Sequence, residues 1–179
     1  MDFFEVVIRN KRYKNFTKDQ IKLKSDQIKQ LIACAQLAPT VSENQNYTFI
    51  IIDDTQIKQN LTEFVSHAEW LVNASIILAV VVVTISETSE ELDDTNIIDA
   101  IVASSQLMMG AIANHLGCDL IVEFNQEGIK SLLNINDERL EVIALIPIGK
   151  TEGEGSKGYK RSLSELSHYN SLGNLYPYE

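Results

Sequence analysis

The sequence predicts an α+β fold, in which a sheet lies between two layers of helices and one long helix is buried at the centre. Two segments carry this prediction. Residues 75–84 form an unbroken apolar run rich in β-branched side chains, which is typical of a strand covered on both faces. Residues 95–116 carry apolar side chains on more than one helical face, which is typical of a helix buried in a layered core or a subunit interface. The dinucleotide fingerprint GxGxxG is absent, so nothing supports a Rossmann domain.

The other elements follow from periodicity and end signals. Ser25 favours a helix N-terminus, and apolar side chains then recur at helical spacing until Pro39 ends the helix. The acidic stretch 86–94 is expected to be a solvated linker that leads into the long helix. In chain order, the predicted elements are helix 2–10, the helix from Ser25, strand 47–53, helix 54–67, strand 75–84, helix 95–116, strand 118–122, helix 126–133 and strand 141–148.

Length and charge restrict the class of protein. The chain has 179 residues and a formal net charge of −10, which predicts one domain over residues 1–179 and argues against nucleic acid or an anionic membrane as a partner. Seven of the 15 basic residues nevertheless fall between residues 9 and 24. Such a local cluster suits one small anion, such as a phosphate group. Because neither a signal-peptide core nor an apolar run of membrane-spanning length is present, we expect a cytoplasmic protein.

The reactive residue types predict little chemistry by the protein itself. Cys34 and Cys118 lie in apolar patterns and are expected to be buried free thiols. The three histidines are scattered and show no spacing typical of a zinc site. The sequence also lacks a nucleophile elbow and a phosphate loop. We therefore expect no catalytic protein nucleophile and no metal.

Four segments, in order along the chain, resemble the nitroreductase family. They are KRYKNF at 11–16; APTVSENQNYTF at 38–49; DAIVASSQLMM at 99–109, which leads to HLG at 115–117; and VIALIPIG at 142–149, which is followed by KRSLSEL at 160–166 and HYN at 168–170. Any one segment is a weak signal. The ordered set covers most of the chain and is fairly specific.

The resemblance implies the family's three-layer α/β/α sandwich and a homodimer whose tail, about 162–179, packs on the partner subunit. It also implies FMN as the cofactor, whose phosphate dianion needs cationic donors. The residues implied for the phosphate and ribityl chain come from both ends of the sequence: Asn10, Lys11, Arg12, Lys14, Lys160 and Arg161. The alternative for this basic cluster is a solvated charged surface at a helix end.

The flavin ring has its own implied contacts. By the resemblance, the partner subunit lines the ring with Pro39, Thr40, Val41 and Glu43. The backbone N–H groups of Val122 and Glu123 would meet flavin N5 and O4, and Lys14 would also reach the N1/O2 edge. The alternative for the 39–45 loop is a plain connection between a helix and a strand.

The sequence departs from the family pattern at several of these positions. Arg12 replaces a small serine, Glu43 replaces an asparagine, and Asn10 stands where a cationic residue is common. The segment 117–124 is about two residues shorter than usual.

The implied activity is that of an FMN-dependent oxidoreductase. It would pass hydride from NAD(P)H to a small acceptor, such as a nitroaromatic, a quinone or an activated alkene, by ping-pong kinetics. Because of Glu43 and the short loop, the alternative is a relative that has lost turnover and acts as a flavin-binding or regulatory protein. A third possibility is a generic α/β ligand-binding domain unrelated to flavin.

Overall fold

The structure is a computed structural model that describes residues 1–19, 21–41, 43–84 and 94–178. Helices and strands alternate along most of the chain. The elements are α1 Phe3–Arg9, α2 Ser25–Gln36, β1 Tyr47–Ile52, α3 Thr55–Leu61, a 3-10 helix Glu69–Asn73, β2 Ile76–Val83, α4 Asp94–Ala113, β3 Gly117–Cys118, α5 Gln126–Leu132, β4 Leu140–Gly149 and α6 Leu163–Leu166.

The four strands form one antiparallel sheet in the order β1-β2-β4-β3. The central pair is β2 and β4, whose register runs from Ile76 opposite Ile148 to Val83 opposite Leu140. The pairing is interrupted once, by a bulge between Val80 and Val81. Since β2 has a strand on either side, all of its backbone groups lie inside the sheet.

Alternate side chains of β2 enter two different cores. Leu78 and Val80 face the layer formed by α2 and α4. Ile77 and Ala79 face the layer formed by α3, the 3-10 helix and α5. Successive side chains of a strand point to opposite faces, so an all-apolar strand needs cover on both sides. The predicted three-layer α/β/α sandwich is therefore confirmed.

The long helix α4 uses its two apolar faces differently. One face is buried against the sheet and α2 through small residues and leucine, including Ala100, Ala103 and Leu107. On the other face, Ile98 and Ile101 are 50% and 37% exposed. Within the described ranges, α4 is the one helix whose length and apolar composition would allow it to cross a bilayer. Its packing against the sheet is that of a core helix.

Several element boundaries differ from the prediction. The helix predicted over 54–67 ends at Leu61, because the following segment turns to meet the 125 region, where the Asn125 N–H donates to the Phe64 carbonyl at 2.8 Å. The 3-10 helix that follows was not predicted. The strand predicted over 118–122 shrinks to β3 plus an isolated bridge between Ile121 and Leu145. The long helix stops at Ala113, before a left-handed residue at His115 (φ 59°).

Of the acidic linker predicted at 86–94, only Asp94 lies among the described residues, and α4 begins there; residues 86–93 lie outside them.

Both cysteines are free, and Cys118 is buried as predicted, which raises the pKa of its thiol to about 12. Cys34 is only half-buried, because it lies where α2 meets Gly110 of α4 rather than in the centre of the core.

Gly117 allows the chain to pass closely beside the N-terminal segment. A Cβ atom at this position would lie 2.3 Å from Cγ2 of Thr151 and 2.8 Å from Cγ of Tyr13. We expect Gly117→Ala to lower the free energy of unfolding by about 1–3 kcal/mol, the usual cost of overpacking, measured by denaturant titration. Gly158→Ala is the matched control, because a Cβ at Gly158 meets nothing within 4 Å. Equal stabilities of the two variants would contradict this account of Gly117.

Candidate functional site

A cavity of about 800 Å³ opens between three segments of the chain. The segments are residues 12–14, residues 62–70 and residues 120–125. Its walls combine three kinds of side chain: the cations Arg12 and Lys14, the carboxylates Glu63 and Glu123, and the aromatic rings of Phe64, Trp70 and Phe124. A cavity of this volume lies within the range of small-molecule sites.

The N-terminal wall is fixed by backbone hydrogen bonds on both sides. The Tyr13 N–H donates to the Cys118 carbonyl at 3.0 Å, and the Ser156 N–H donates to the Arg12 carbonyl at 2.8 Å. Phe16 forms a further isolated bridge with Thr151. The segment therefore runs as an extended chain between β3 and the stretch that follows β4. This placement brings Arg12 and Lys14 to the cavity.

Lys14 is held beside an aromatic wall. Its Nζ lies 5.6 Å from the centre of the Trp70 ring, which is within the range of a cation–π contact. Trp70 is the only tryptophan of the chain. Its ring stacks on buried Phe16 at 5.9 Å, and its Nε1 donates to the His67 carbonyl at 3.1 Å. Lys14 makes no ion pair with a carboxylate in the part of the chain that the structure describes.

Arg12, by contrast, is paired. Its Nε donates to Asp119 Oδ1 at 2.8 Å, and its Nη2 donates to Oδ2 at 3.3 Å. The Asp119 side chain is fully buried, whereas that of Arg12 is 63% exposed. The hydrogen bond that Arg12 donates to Asp119, and after it the negative charge of Asp119, raise the pKa of Arg12 above its usual value. Arg12 also lines a second cavity, of about 350 Å³, together with Lys14, Glu152 and Glu154.

The short loop 120–125 forms the opposite wall. It is tied to β4 by reciprocal hydrogen bonds between Ile121 and Leu145, and the side chains of Val122 and Glu123 that follow are exposed. Among the described residues, the backbone N–H groups of Val122 and Glu123 find no protein acceptor. Both residues line the cavity.

Four of the predicted site residues thus meet in one cavity: Arg12, Lys14, Val122 and Glu123. Others from the same two ends of the chain do not line it. Lys11 lies outside and is paired with Glu154 at 3.4 Å, and the Asn10 N–H closes α1 by donating to the Val7 carbonyl. Lys160 and Arg161 are exposed on the chain after β4, where Arg161 Nη2 donates to the Glu165 carbonyl.

The 39–45 loop lies away from the cavity of its own subunit. Pro39, Thr40, Val41 and Glu43 are absent from the cavity wall. The Val41 N–H donates to Asp99 Oδ1 of α4 at 2.6 Å, which anchors the loop to the central helix. Glu43 is exposed and adopts a left-handed conformation, with φ 55°.

Sequence reasoning missed the wall formed by residues 62–70 and the aspartate that pairs with Arg12. Apart from the single tryptophan, no sequence motif indicated that residues 62–70 belong to a site. Asp119 had a weak signal, because a carboxylate inside a short apolar strand needs a cationic partner. Across residues 1–19, 21–41, 43–84 and 94–178, no cluster of three or more His, Cys, Asp or Glu side chains could hold a metal ion.

The chain is similar in sequence and fold to nitroreductases from several bacteria. No protein-family model matches the chain. A Bacillus subtilis (strain 168) protein, YdgI, named as an NAD(P)H nitroreductase, is 21% identical over 94% of this chain and 97% of its own length. A nitroreductase family protein from Clostridium novyi NT is 24% identical, with a TM-score of 0.77 over 98% of this chain and 97% of that one.

A nitroreductase from Exiguobacterium sibiricum 255-15, whose structure is a complex with FMN, superposes with a TM-score of 0.85 at 19% identity, over 95% of this chain and 98% of that one. At these identities the likeness concerns the fold. The chain has the nitroreductase fold, as the resemblance of its four segments implied.

Proposed function

We propose that this protein is an FMN-dependent oxidoreductase that passes hydride from NAD(P)H to a small acceptor. The observation that carries the proposal is the cavity of about 800 Å³, which joins two cations, an aromatic wall and two unused backbone donors. The names of the relatives agree with it: YdgI is named for NAD(P)H, and the Exiguobacterium protein holds FMN.

The donor set fits FMN. Arg12 and Lys14 would hold the phosphate and ribityl chain, since both also line the adjoining smaller cavity. Lys160 and Arg161 would approach from the exposed C-terminal segment. Asn10 and Lys11 remain in the proposed set for the phosphate and ribityl chain; in the structure Lys11 pairs with Glu154, and the Asn10 N–H caps α1.

The ring of the flavin suits the other side of the cavity. Phe64, Trp70 and Phe124 offer an apolar aromatic surface, and the free N–H groups of Val122 and Glu123 would donate to the polar edge of the ring. Lys14, held by Trp70 at one end of this wall, would keep a positive charge near the ring. When bound, FMN supplies the hydride transfer itself, so the protein needs no nucleophile or general base of its own.

We propose that both substrates use the larger cavity, of about 800 Å³. NAD(P)H and the acceptor would use the same space in turn, which gives ping-pong kinetics. Nitroaromatics, quinones and activated alkenes are acceptors of a size and polarity that such a cavity admits.

The net charge of −10 argues against a polyanionic partner, and we propose a single-domain protein, residues 1–179, located in the cytoplasm.

We also propose a homodimer. Large apolar side chains remain on the surface of α1, at Phe3, Phe4 and Ile8, and on the free face of α4. A monomer rarely leaves so many exposed together. A second subunit would cover them, receive the tail at about 162–179, and bring Pro39, Thr40, Val41 and Glu43 to the cavity of its partner.

The proposed function is tested by the absorption spectrum of the purified protein with added FMN. We expect a yellow complex that bleaches when NADH is added under nitrogen and regains its colour when a quinone or nitroaromatic follows. Omitting NADH is the control. A yellow protein that does not bleach would favour a flavin-binding or regulatory protein without turnover. A protein that takes up no FMN would refute the proposal.

The assignment of Lys14 is tested by FMN titration. Trp70 lies in the cavity, so quenching of its fluorescence reports occupancy. Loss of a charge-assisted contact costs about 1.5–3 kcal/mol, so Lys14→Ala should weaken FMN binding about tenfold or more, and Arg161→Ala should act in the same direction. Lys22→Ala is the control, since Lys22 is an exposed partner of Asp53. If all three variants bind alike, the basic cluster is only a charged surface.

The dimer is tested by sedimentation of a dilute sample. We expect a single species of twice the 20.1 kDa of one chain, because the exposed apolar side chains favour an obligate interface. Such interfaces commonly bury more than about 2,000 Å². A clean monomer that still binds FMN would show that the 39–45 loop contributes nothing to the site.

A further inference from the structure

We propose that Asp119 is a positioning residue for anion binding: it grips one edge of the Arg12 guanidinium, so that the opposite edge is presented to a phosphate group. This inference rests on the proposed function, because the phosphate in question is that of the flavin. Asp119 itself would touch neither the phosphate nor the ring.

The geometry of the pair carries the argument. A guanidinium has five N–H donors in a rigid fork, and Asp119 takes one from Nε and one from Nη2. The edge that includes Nη1 makes no hydrogen bond within the described residues. Because the Arg12 side chain is 63% exposed and lines both cavities, this free edge lies where a ligand can reach it.

Both members of the pair have a fixed backbone. The Arg12 carbonyl accepts from the Ser156 N–H. Asp119 donates its N–H to the Pro147 carbonyl of β4, and its Oδ1 also accepts the Leu120 N–H at 3.0 Å. The carboxylate therefore cannot follow a moving arginine. It anchors the guanidinium to the sheet, and the long side chain of Arg12 is ordered before any ligand arrives.

Two effects of Asp119 on a bound phosphate oppose each other. Its negative charge repels the phosphate, while its grip removes the conformational entropy that Arg12 would otherwise lose on binding. Asp119 lies behind the guanidinium, fully buried, whereas the ligand would meet the exposed side. The interposed positive charge offsets the repulsion at short range, so we expect the orienting effect to dominate.

The experiment compares two variants that remove one negative charge each from the surroundings of Arg12. Asp119→Asn breaks the two-bond grip, because an amide offers one acceptor in place of two. Glu123→Gln removes a carboxylate that also acts electrostatically on Arg12 but does not hydrogen-bond to it. Trp70 quenching gives the dissociation constants of FMN and riboflavin. The phosphate-specific ratio is the dissociation constant of riboflavin divided by that of FMN, and it isolates the contribution of the phosphate.

We expect Asp119→Asn to lower the phosphate-specific ratio roughly five- to tenfold. Glu123→Gln should raise it, because it removes a negative charge near Arg12 without breaking a hydrogen bond to Arg12. If both variants raise the ratio, charge alone governs the site and the inference is overturned. It is equally overturned if Asp119→Asn leaves the ratio unchanged.

If circular dichroism shows that Asp119→Asn does not fold, Arg12→Lys tests the inference in its place. A lysine keeps the charge beside Asp119 but has no second edge, so the ratio should fall similarly; an unchanged ratio contradicts the inference. If the wild-type protein binds neither flavin, the proposed function fails separately. Binding of inorganic phosphate, followed by calorimetry, then decides the role of Asp119 by the same comparison of variants.

Discussion

The central strand β2 imposes the constraint on which the rest of the molecule depends. Its side chains from Ile76 to Val82 are buried without interruption, so neither face of the sheet can be left to solvent. One face is covered by α2 and α4 and the other by α3, the 3-10 helix and α5. The second layer also creates the cavity, because the turns after α3 and before α5 meet at its edge through the hydrogen bond from Asn125 to Phe64.

Much of this fold could be predicted from local patterns. The β-branched run that became β2 and the doubly apolar α4 carry local periodicities. The end signals of α2 were right to within a few residues: Lys24 rather than Ser25 is the N-cap, and the helix ends at Gln36, three residues before Pro39. The prediction failed where distant contacts decide the local structure. The helix α3 ends at Leu61 because the Phe64 carbonyl accepts the Asn125 N–H. Continuous pairing with β4 covers only Gly117 and Cys118, so β3 is shorter than the predicted strand.

The candidate site shows the same division between local and distant information. Sequence resemblance selected Arg12, Lys14, Val122 and Glu123, which do meet at one cavity. It could not sort the cations by their partners. Lys11 faces Glu154, Arg12 faces Asp119, and Lys14 lies over an indole ring, and these partners come from sequence positions far from the basic cluster. Pro39, Thr40, Val41 and Glu43 do not line this cavity.

A phosphate site must keep cations close together before the phosphate arrives. Arg12 and Lys14 are two residues apart on an extended segment, so their side chains lie on the same side of the chain and their charges repel. Here the repulsion is offset in two ways that leave both groups accessible. A buried carboxylate pairs with the inner edge of Arg12, and the π face of Trp70 attracts Lys14. An exposed carboxylate that hydrogen-bonded to Arg12 would also lower the repulsion, but it would compete with the ligand for the same N–H donors. Asp119, behind the guanidinium, would avoid that competition, because it binds Arg12 through Nε and Nη2 alone.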